Sequence, residues 1–203
     1  IYTALGGTVE NVGPNEYRLP MPETPANTIP VDLSRKIRAS ILFAGPLLAR
    51  AGKAVLPPPG GDVIGRRRLD THFLALTELG ARVDVDGQFT FTANKLKGQD
   101  IFLDEASVTA TENALMLAVL TPGTTVIENA ACEPHVEDLA VFLNSMGGKI
   151  QGAGTNRITI AGVKKLSGTR HSIVADYMEA GTFAMLGAVT KGEIAIEGIK
   201  PEH

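Results

Sequence analysis

The stretch Ala114-Leu115-Met116-Leu117-Ala118-Val119-Leu120 has no polar residue on any face. A helix that is apolar all round belongs inside a protein rather than on its surface. It is part of a longer unit, an apolar helix followed by a glycine turn and a β-rich run, from Ser107 to Ile127 around Gly123. The same unit recurs from Ile37 to Val55 around Gly52 and from Met178 to Ile196 around Gly192, with the glycines 71 and 69 positions apart. A second unit, a helix ending in glycine and then a strand, occurs at Leu5-Gly6-Gly7-Thr8-Val9, Leu79-Gly80-Ala81-Arg82-Val83 and Met146-Gly147-Gly148-Lys149-Ile150. Glycine suits the left-handed conformation that ends such helices. Between the units lie alternating runs split by glycine, Val83 to Phe91 and Ile150 to Ile160, which predict hairpins.

Each copy therefore predicts helix, strand, turn, strand, strand, helix, strand over roughly 70 residues, repeated three times. Buried helices with sheets outside make the expected fold class α+β, an inside-out α/β prism with three internal repeats. Pro57-Pro58-Pro59-Gly60-Gly61 is the sharpest break, and the proline-rich stretch from Pro20 to Pro30 is expected to be an extended connection.

Composition narrows the chemistry. Aromatic residues are 5% of the 203 and Trp is absent, so the core is expected to rest on Leu, Ile, Val and Ala. A net charge of −3 leaves no global basic field for nucleic acid, so any anion site is local. One cysteine, Cys132, excludes an internal disulfide and a cysteine-based metal site. No apolar run approaches the ~20 residues that span a bilayer, and the first residues lack the basic start of a signal peptide. They read as the cut end of a helix.

The candidate chemistry follows the proline break, in Gly60-Gly61-Asp62-Val63-Ile64-Gly65-Arg66-Arg67-Arg68-Leu69-Asp70-Thr71-His72. Arginine forks match phosphate and carboxylate, and a glycine-rich loop bearing an acid can bring a proton donor to a bound phosphate ester. A solvated turn is the alternative reading. Without Gly-Lys-Ser/Thr it is no P-loop. Arg38-Ala39-Ser40 opens the first apolar helix, where an anion would meet an arginine and free backbone N–H groups. The alternative is that Arg35, Lys36 and Arg38 ring an exposed end. Ser107-Val108 opens the second, as a helix cap, a set of ligand donors, or both. Cys132, flanked by glutamates, reads as structural; His135 and Glu137 read as helix-start residues, and His171 has no nearby partner in sequence.

Arg38-Ala39-Ser40, Pro59-Gly60-Gly61-Asp62-Val63-Ile64-Gly65, Arg67 to His72 and Glu128-Asn129-Ala130-Ala131 together resemble the UDP-N-acetylglucosamine 1-carboxyvinyltransferases of the enolpyruvyl transferase family, along essentially the whole chain. The resemblance implies two prisms closing over their ligands. It also implies transfer of an enolpyruvyl group from phosphoenolpyruvate to the 3′-hydroxyl of UDP-N-acetylglucosamine, a cytoplasmic step of peptidoglycan synthesis without a cofactor. Asp62 stands at the loop acid, usually a cysteine, which implies resistance to epoxides that alkylate that cysteine. Arg67 matches an anion-binding arginine, with Arg68 where proline is common. Leu69, Asp70, Thr71 and His72 match the uridine side, and Arg38 the helix-start arginine of the substrate site. Ser107 and Val108 match a second nucleotide contact with Glu105 and Ala106 before them, Glu105 standing where lysine is frequent.

The same resemblance places a Lys-Asn pair upstream of Ile1 and a second prism downstream of His203. Residues 1–173 are then expected to be the lid-bearing domain. Residues 174–203 are expected to cross toward the other domain, or instead to supply the third helix–strand unit and close this one. The chain alone is expected to show no turnover. A 5-enolpyruvylshikimate-3-phosphate synthase-like transferase and a non-catalytic sugar-nucleotide-binding paralogue are the competing readings.

Overall fold

The computed structural model describes residues 1–62 and 68–203, a mixed helix and sheet protein. The second copy follows the predicted order in full: α3 (Asp70–Glu78), β4 (Ala81–Val85), β5 (Phe89–Ala93), β6 (Asp100–Phe102), α4 (Val108–Ala118) and β7 (Thr124–Glu128). In the first copy a short 3-10 helix, Thr3–Leu5, leads into β1 (Glu10–Gly13) and β2 (Glu16–Arg18). After α1 (Val31–Ser34) come a second 3-10 helix, Arg38–Phe43, then α2 (Ala44–Ala51) and β3 (Lys53–Leu56). The third copy has α5 (Pro134–Ser145), β8 (Ile150–Gln151), β9 (Arg157–Ala161) and α6 (Tyr177–Thr190). Gly6, Gly80 and Gly147 close the helices ahead of each hairpin with φ of 97°, 96° and 100°, as the repeated glycine predicts.

The expected single helix from Ile37 is two. Arg38–Phe43 is 3-10 and only Ala44–Ala51 is α-helical. Pro46 accounts for this. It has no N–H to give the carbonyl of Leu42 and its ring crowds that turn, so an α-helix cannot run through from Arg38.

Two sheets share one plan. In one the order is β3-β5-β4, with an isolated parallel bridge from Thr28 to Val55 at the edge. In the other it is β6-β7-β9-β8, with β6 parallel to β7. Both set the strand after an apolar helix antiparallel to the second strand of a hairpin. The stretch Pro20 to Pro30 is extended as expected. The β1–β2 hairpin forms a two-stranded sheet by itself.

Helices pack on one another and on strands of both sheets. α4 packs on α2, α3 and α5, while α2 leans on β3 and α3 on β4. Ala114, Leu115, Leu117 and Ala118 of α4 are fully buried, as its lack of a polar face demands. The core is Leu, Ile, Val and Ala with one fully buried aromatic ring, Phe91. Phe73 sits 5.7 Å from it and 5.1 Å from Phe89.

The end of the chain departs from expectation. The helix predicted after Met178 forms, but Lys191 (φ 52°) ends it rather than Gly192, and residues 191–203 hold no strand. Nor is α6 buried: Met178 and Met185 are each 64% exposed and Val189 is 82% exposed. In residues 174–203, α6 is thus an exposed helix with no strand after it. The helix has the composition of a buried one, and the described residues do not cover it. Among the described residues no helix is long and apolar enough to cross a membrane.

Candidate functional site

The proline break is held by buried hydroxyls. Ser34 Oγ donates to the carbonyl of Pro57 at 3.0 Å, and Ser40 Oγ lies 3.2 Å from Ser34 Oγ. Ser40, part of the Arg-Ala-Ser segment, is thus a brace rather than a ligand group. The amides of Gly60 and Gly61 donate to the carbonyls of Ser34 and Arg35 at 3.1 and 3.3 Å. A side chain at Gly60 would collide with the carbonyl of Arg35, and Gly61 (φ 86°) would place a Cβ 3.0 Å from the amide nitrogen of Arg38. Only glycine allows this approach. From the other end of the loop, the carbonyl of Arg68 accepts from Arg38 Nη2 at 3.1 Å. Both ends of the segment carrying Asp62 therefore meet at Arg38. Asp62 itself is exposed. Arg67 lies outside the described residues.

Arg68 turns its fork onto Asp70, with Nε and Nη2 at 2.7 and 2.6 Å from Oδ2. This contact, with Asp104 and Glu105 nearby, raises the arginine's pKa further. The pair is exposed. Asp70 opens α3, where a carboxylate suits the helix dipole. Leu69 packs on the core edge. Thr71 Oγ1 donates to Asp104 Oδ1 at 2.7 Å, so the start of α3 is tied to the segment before α4. There Glu105 and Ala106 are exposed and Ser107 caps α4, its Oγ accepting from the Ala110 amide at 3.4 Å. Val108 and Thr109 begin the helix, so their N–H groups have no acceptor within it. Arg38 thus contacts Arg68, Thr71 contacts Asp104 and His72 contacts Thr109, which links the segment from Arg68 to His72 with the start of α4.

His72 is the exception in kind. Its side chain points inward, 2% exposed, and both ring nitrogens are engaged: Nδ1 lies 2.9 Å from Asn113 Nδ2 and Nε2 lies 3.0 Å from Thr109 Oγ1. The amide makes Nδ1 the acceptor, leaving Nε2–H to donate to Thr109. Burial first, and Arg38 second, lower its pKa to about 4. The ring thus orients the start of α3 instead of presenting a nitrogen to solvent.

Sequence reasoning missed Asn113. It is fully buried, takes the Gly45 amide on Oδ1 at 2.9 Å, and donates from Nδ2 to the Ile41 carbonyl at 2.9 Å as well as to His72. The available signal was the single amide side chain in α4, directly before its apolar run.

Beside Ala106 opens a recess of about 430 Å³ lined by Ala130, Ala131, Cys132, Glu133, Pro134 and Tyr177. Cys132 is exposed there, not a core residue. Glu133 Oε2 is buried with no hydrogen-bond partner among the described residues. Burial, and then the charge of Glu133, raise the pKa of Glu112 on α4 to about 7.

Glu112 and His72 set opposite pH slopes. The unfolded chain releases the Glu112 proton near 4.5 and the folded one near 7. Between those values the folded state holds more protons, so this contribution falls as pH rises. His72 titrates near 6.5 unfolded and about 4 folded, so its contribution is lost as pH falls through that window. Glu112→Gln is therefore expected to raise Tm relative to the parent sequence at pH 8 and leave it unchanged at pH 4.5. An equal shift at both values in a thermal-melt series would contradict the assignment.

Comparison with known proteins shows the family. A family model described as EPSP synthase (3-phosphoshikimate 1-carboxyvinyltransferase) matches residues 1–203. The UDP-N-acetylglucosamine 1-carboxyvinyltransferase of Treponema denticola is 64% identical over 201 residues, covering 99% of this chain and 47% of that one. Its namesake in Treponema pallidum is 59% identical over 199 residues (98% and 47%), and that of Bradyrhizobium diazoefficiens 50% identical over 200 (98% and 46%). The chain spans about half the length of the curated relatives it matches. Among solved structures, the enolpyruvyl transferase NikO from Streptomyces tendae superposes with a TM-score of 0.74 at 23% identity, covering 92% of this chain and 45% of that one. An EPSP synthase from Acinetobacter baumannii gives 0.72 at 21% (98% and 46%). At these identities the structural likeness is one of fold.

Proposed function

The chain belongs to the EPSP synthase (3-phosphoshikimate 1-carboxyvinyltransferase) family, and on that premise we propose that it is part of a longer enzyme that moves the enolpyruvyl group of phosphoenolpyruvate to the 3′-hydroxyl of UDP-N-acetylglucosamine and releases phosphate. The observation that carries this reading is the 50 to 64% identity, over nearly the whole chain, to relatives bearing that activity in their names. The step belongs to peptidoglycan synthesis and takes place in the cytoplasm. In the parent, this part is an inside-out prism of three repeats, residues 1–173 carry the lid, and 174–203 cross toward a second domain. The exposed α6, apolar apart from Tyr177, Glu179, Thr182 and Thr190, fits that crossing.

The residues divide the work as follows. Arg38, Arg67 and Arg68 clamp anionic groups of the two substrates. The open N-terminus of α4 at Ser107 and Val108 offers amide and hydroxyl donors to a phosphate. Leu69, Asp70 and Thr71 hold the uridine side, with His72 fixing their backbone, while Glu105 and Ala106 border the same pocket. Asp62 protonates C3 of phosphoenolpyruvate while the sugar hydroxyl attacks C2 and loses its proton to solvent; a proton then leaves C3 as the C2–phosphate bond breaks, which restores the double bond. Arginines and helix amides stabilise charge that grows on the departing phosphate.

Phosphate release by the full-length parent tests this directly. Release is expected with phosphoenolpyruvate plus UDP-N-acetylglucosamine, with protection from hydrogen exchange at Arg38 and Asp70 when the sugar nucleotide binds. Release only with shikimate 3-phosphate would assign the EPSP synthase reaction instead. Protection without release would leave a sugar-nucleotide-binding paralogue.

A further inference from the structure

The segment between β9 and α6 has no regular secondary structure from residue 162 to 176, yet one face of α5 holds its last part. His135, Asp138 and Phe142, spaced three and four apart, share that face. The Nε2–H of His171 donates to Asp138 Oδ1 at 2.9 Å, with the two side chains only 15% and 12% exposed. The other oxygen of the same carboxylate accepts the Val174 amide at 3.4 Å. The His171 ring lies 5.1 Å from that of Phe142, and Tyr177 stacks on His135 at 6.1 Å with the planes 16° apart. A more exposed contact, Arg170 to Glu16 at 3.1 Å, adds little. Among the described residues, Tyr177 is the one wall of the recess beside Ala106 that comes from beyond this strap; the others are Ala106 before α4, residues 130–133 before α5 and Pro134, which opens α5.

We propose that Asp138 is a positioning residue for sugar-nucleotide binding, acting through His171 and Val174 to hold Tyr177 as the outer wall of the recess next to Ala106. One carboxylate gripping a ring N–H and a backbone N–H fixes both the place and the direction of the strap. Charge-assisted hydrogen bonds shielded from water are the stronger kind. Beyond Val174 the next ring contact among the described residues is the Tyr177–His135 stack, at the start of the exposed α6. Losing the clamp therefore frees Tyr177. The proposal rests on the transferase reading for its ligand, but the clamp itself can be observed without turnover.

The test uses the full-length parent with Asp138→Ala, His171→Ala, His171→Gln, Tyr177→Ala and, as a control, Arg170→Ala. Amide exchange at Val174 and steady-state kinetics with UDP-N-acetylglucosamine are read together. Asp138→Ala and His171→Ala are expected to speed Val174 exchange by about tenfold or more. The same two variants should raise KM for the sugar nucleotide about three- to tenfold with kcat changed less than about twofold. His171→Gln keeps an N–H near the Nε2 position and should restore most of both. Tyr177→Ala should reproduce the KM change while Val174 stays protected, and Arg170→Ala should alter neither. Faster exchange with an unaltered KM would reduce the strap to a tether and overturn the proposal, as would unaltered exchange in Asp138→Ala. A parent that never consumes UDP-N-acetylglucosamine would instead remove the transferase reading, and the exchange data would still report whether the clamp exists.

Discussion

Asn113→Ala is expected to cost about 4 kcal/mol of folding stability, because three buried groups lose their partner at once. The Gly45 amide, the Ile41 carbonyl and His72 Nδ1 all meet this one side chain, and each buried polar group left unsatisfied costs about 1–3 kcal/mol. Relative to the ~5–15 kcal/mol that holds a domain together, this is a large share. Urea unfolding would show it as a lower midpoint with an unchanged m-value. A loss under about 1 kcal/mol would mean that water replaces the amide and that the junction is not dry. Gly45→Ala probes the same junction from the other side. A Cβ there would stand 2.6 Å from the backbone oxygen of Asn113, so α2 and α4 would have to part. The effect should reach the site, since the Arg38–Phe43 helix, the start of α2 and the start of α3 are held against α4 through this residue. In the full-length parent, weaker sugar-nucleotide binding is expected alongside the lower stability.

The local rules that were legible in the sequence are those with a strong short-range cause. Helix-ending glycines at 6, 80 and 147, the hairpins after Gly80 and Gly147, and the burial of α4 follow from backbone sterics and from the absence of a polar face. The resemblance, not any spacing rule, names Arg38, Arg67 to His72 and Ser107 as one site; the structure adds the contacts Thr71–Asp104 and His72–Thr109. What stayed hidden depends on partners far apart in the chain. Asn113 meets Ile41 from 72 positions away, and His171 meets Asp138 from 33. No spacing rule connects such pairs. The 3-10 character of Arg38–Phe43 was readable from Pro46 but was outweighed by the apolar periodicity around it. For α6 the composition indicates burial correctly as a requirement, but composition does not say which surface meets it, and the core described here does not.

Asp62→Ala is expected to lower kcat of the full-length parent by about 10²–10⁴-fold, the usual worth of a positioned general acid, while KM for UDP-N-acetylglucosamine changes little. The geometry supports a split of this kind. Asp62 is exposed and follows Gly61, whose backbone lies against Arg38, and Arg68 closes the same loop on the Arg38 guanidinium. The acid is thus tethered to the anion clamp without being part of it, so removing it spares binding and removes proton delivery. Asp62→Cys distinguishes an acid from a spacer. A thiol can also give a proton, so activity should be retained, and its ordinary pKa of about 8.5 lies above that of a carboxyl. The alkaline fall of kcat/KM, which reports loss of the donated proton, should therefore move to higher pH in the cysteine variant. The same substitution installs a soft nucleophile, so an epoxide such as fosfomycin should alkylate Asp62→Cys on the loop and leave the aspartate parent unmodified, as mass spectrometry would record. If Asp62→Ala kept a third or more of kcat, protonation of the enolpyruvyl carbon would have to come from another group, and the loop would be a cover for the site with no part in the chemistry.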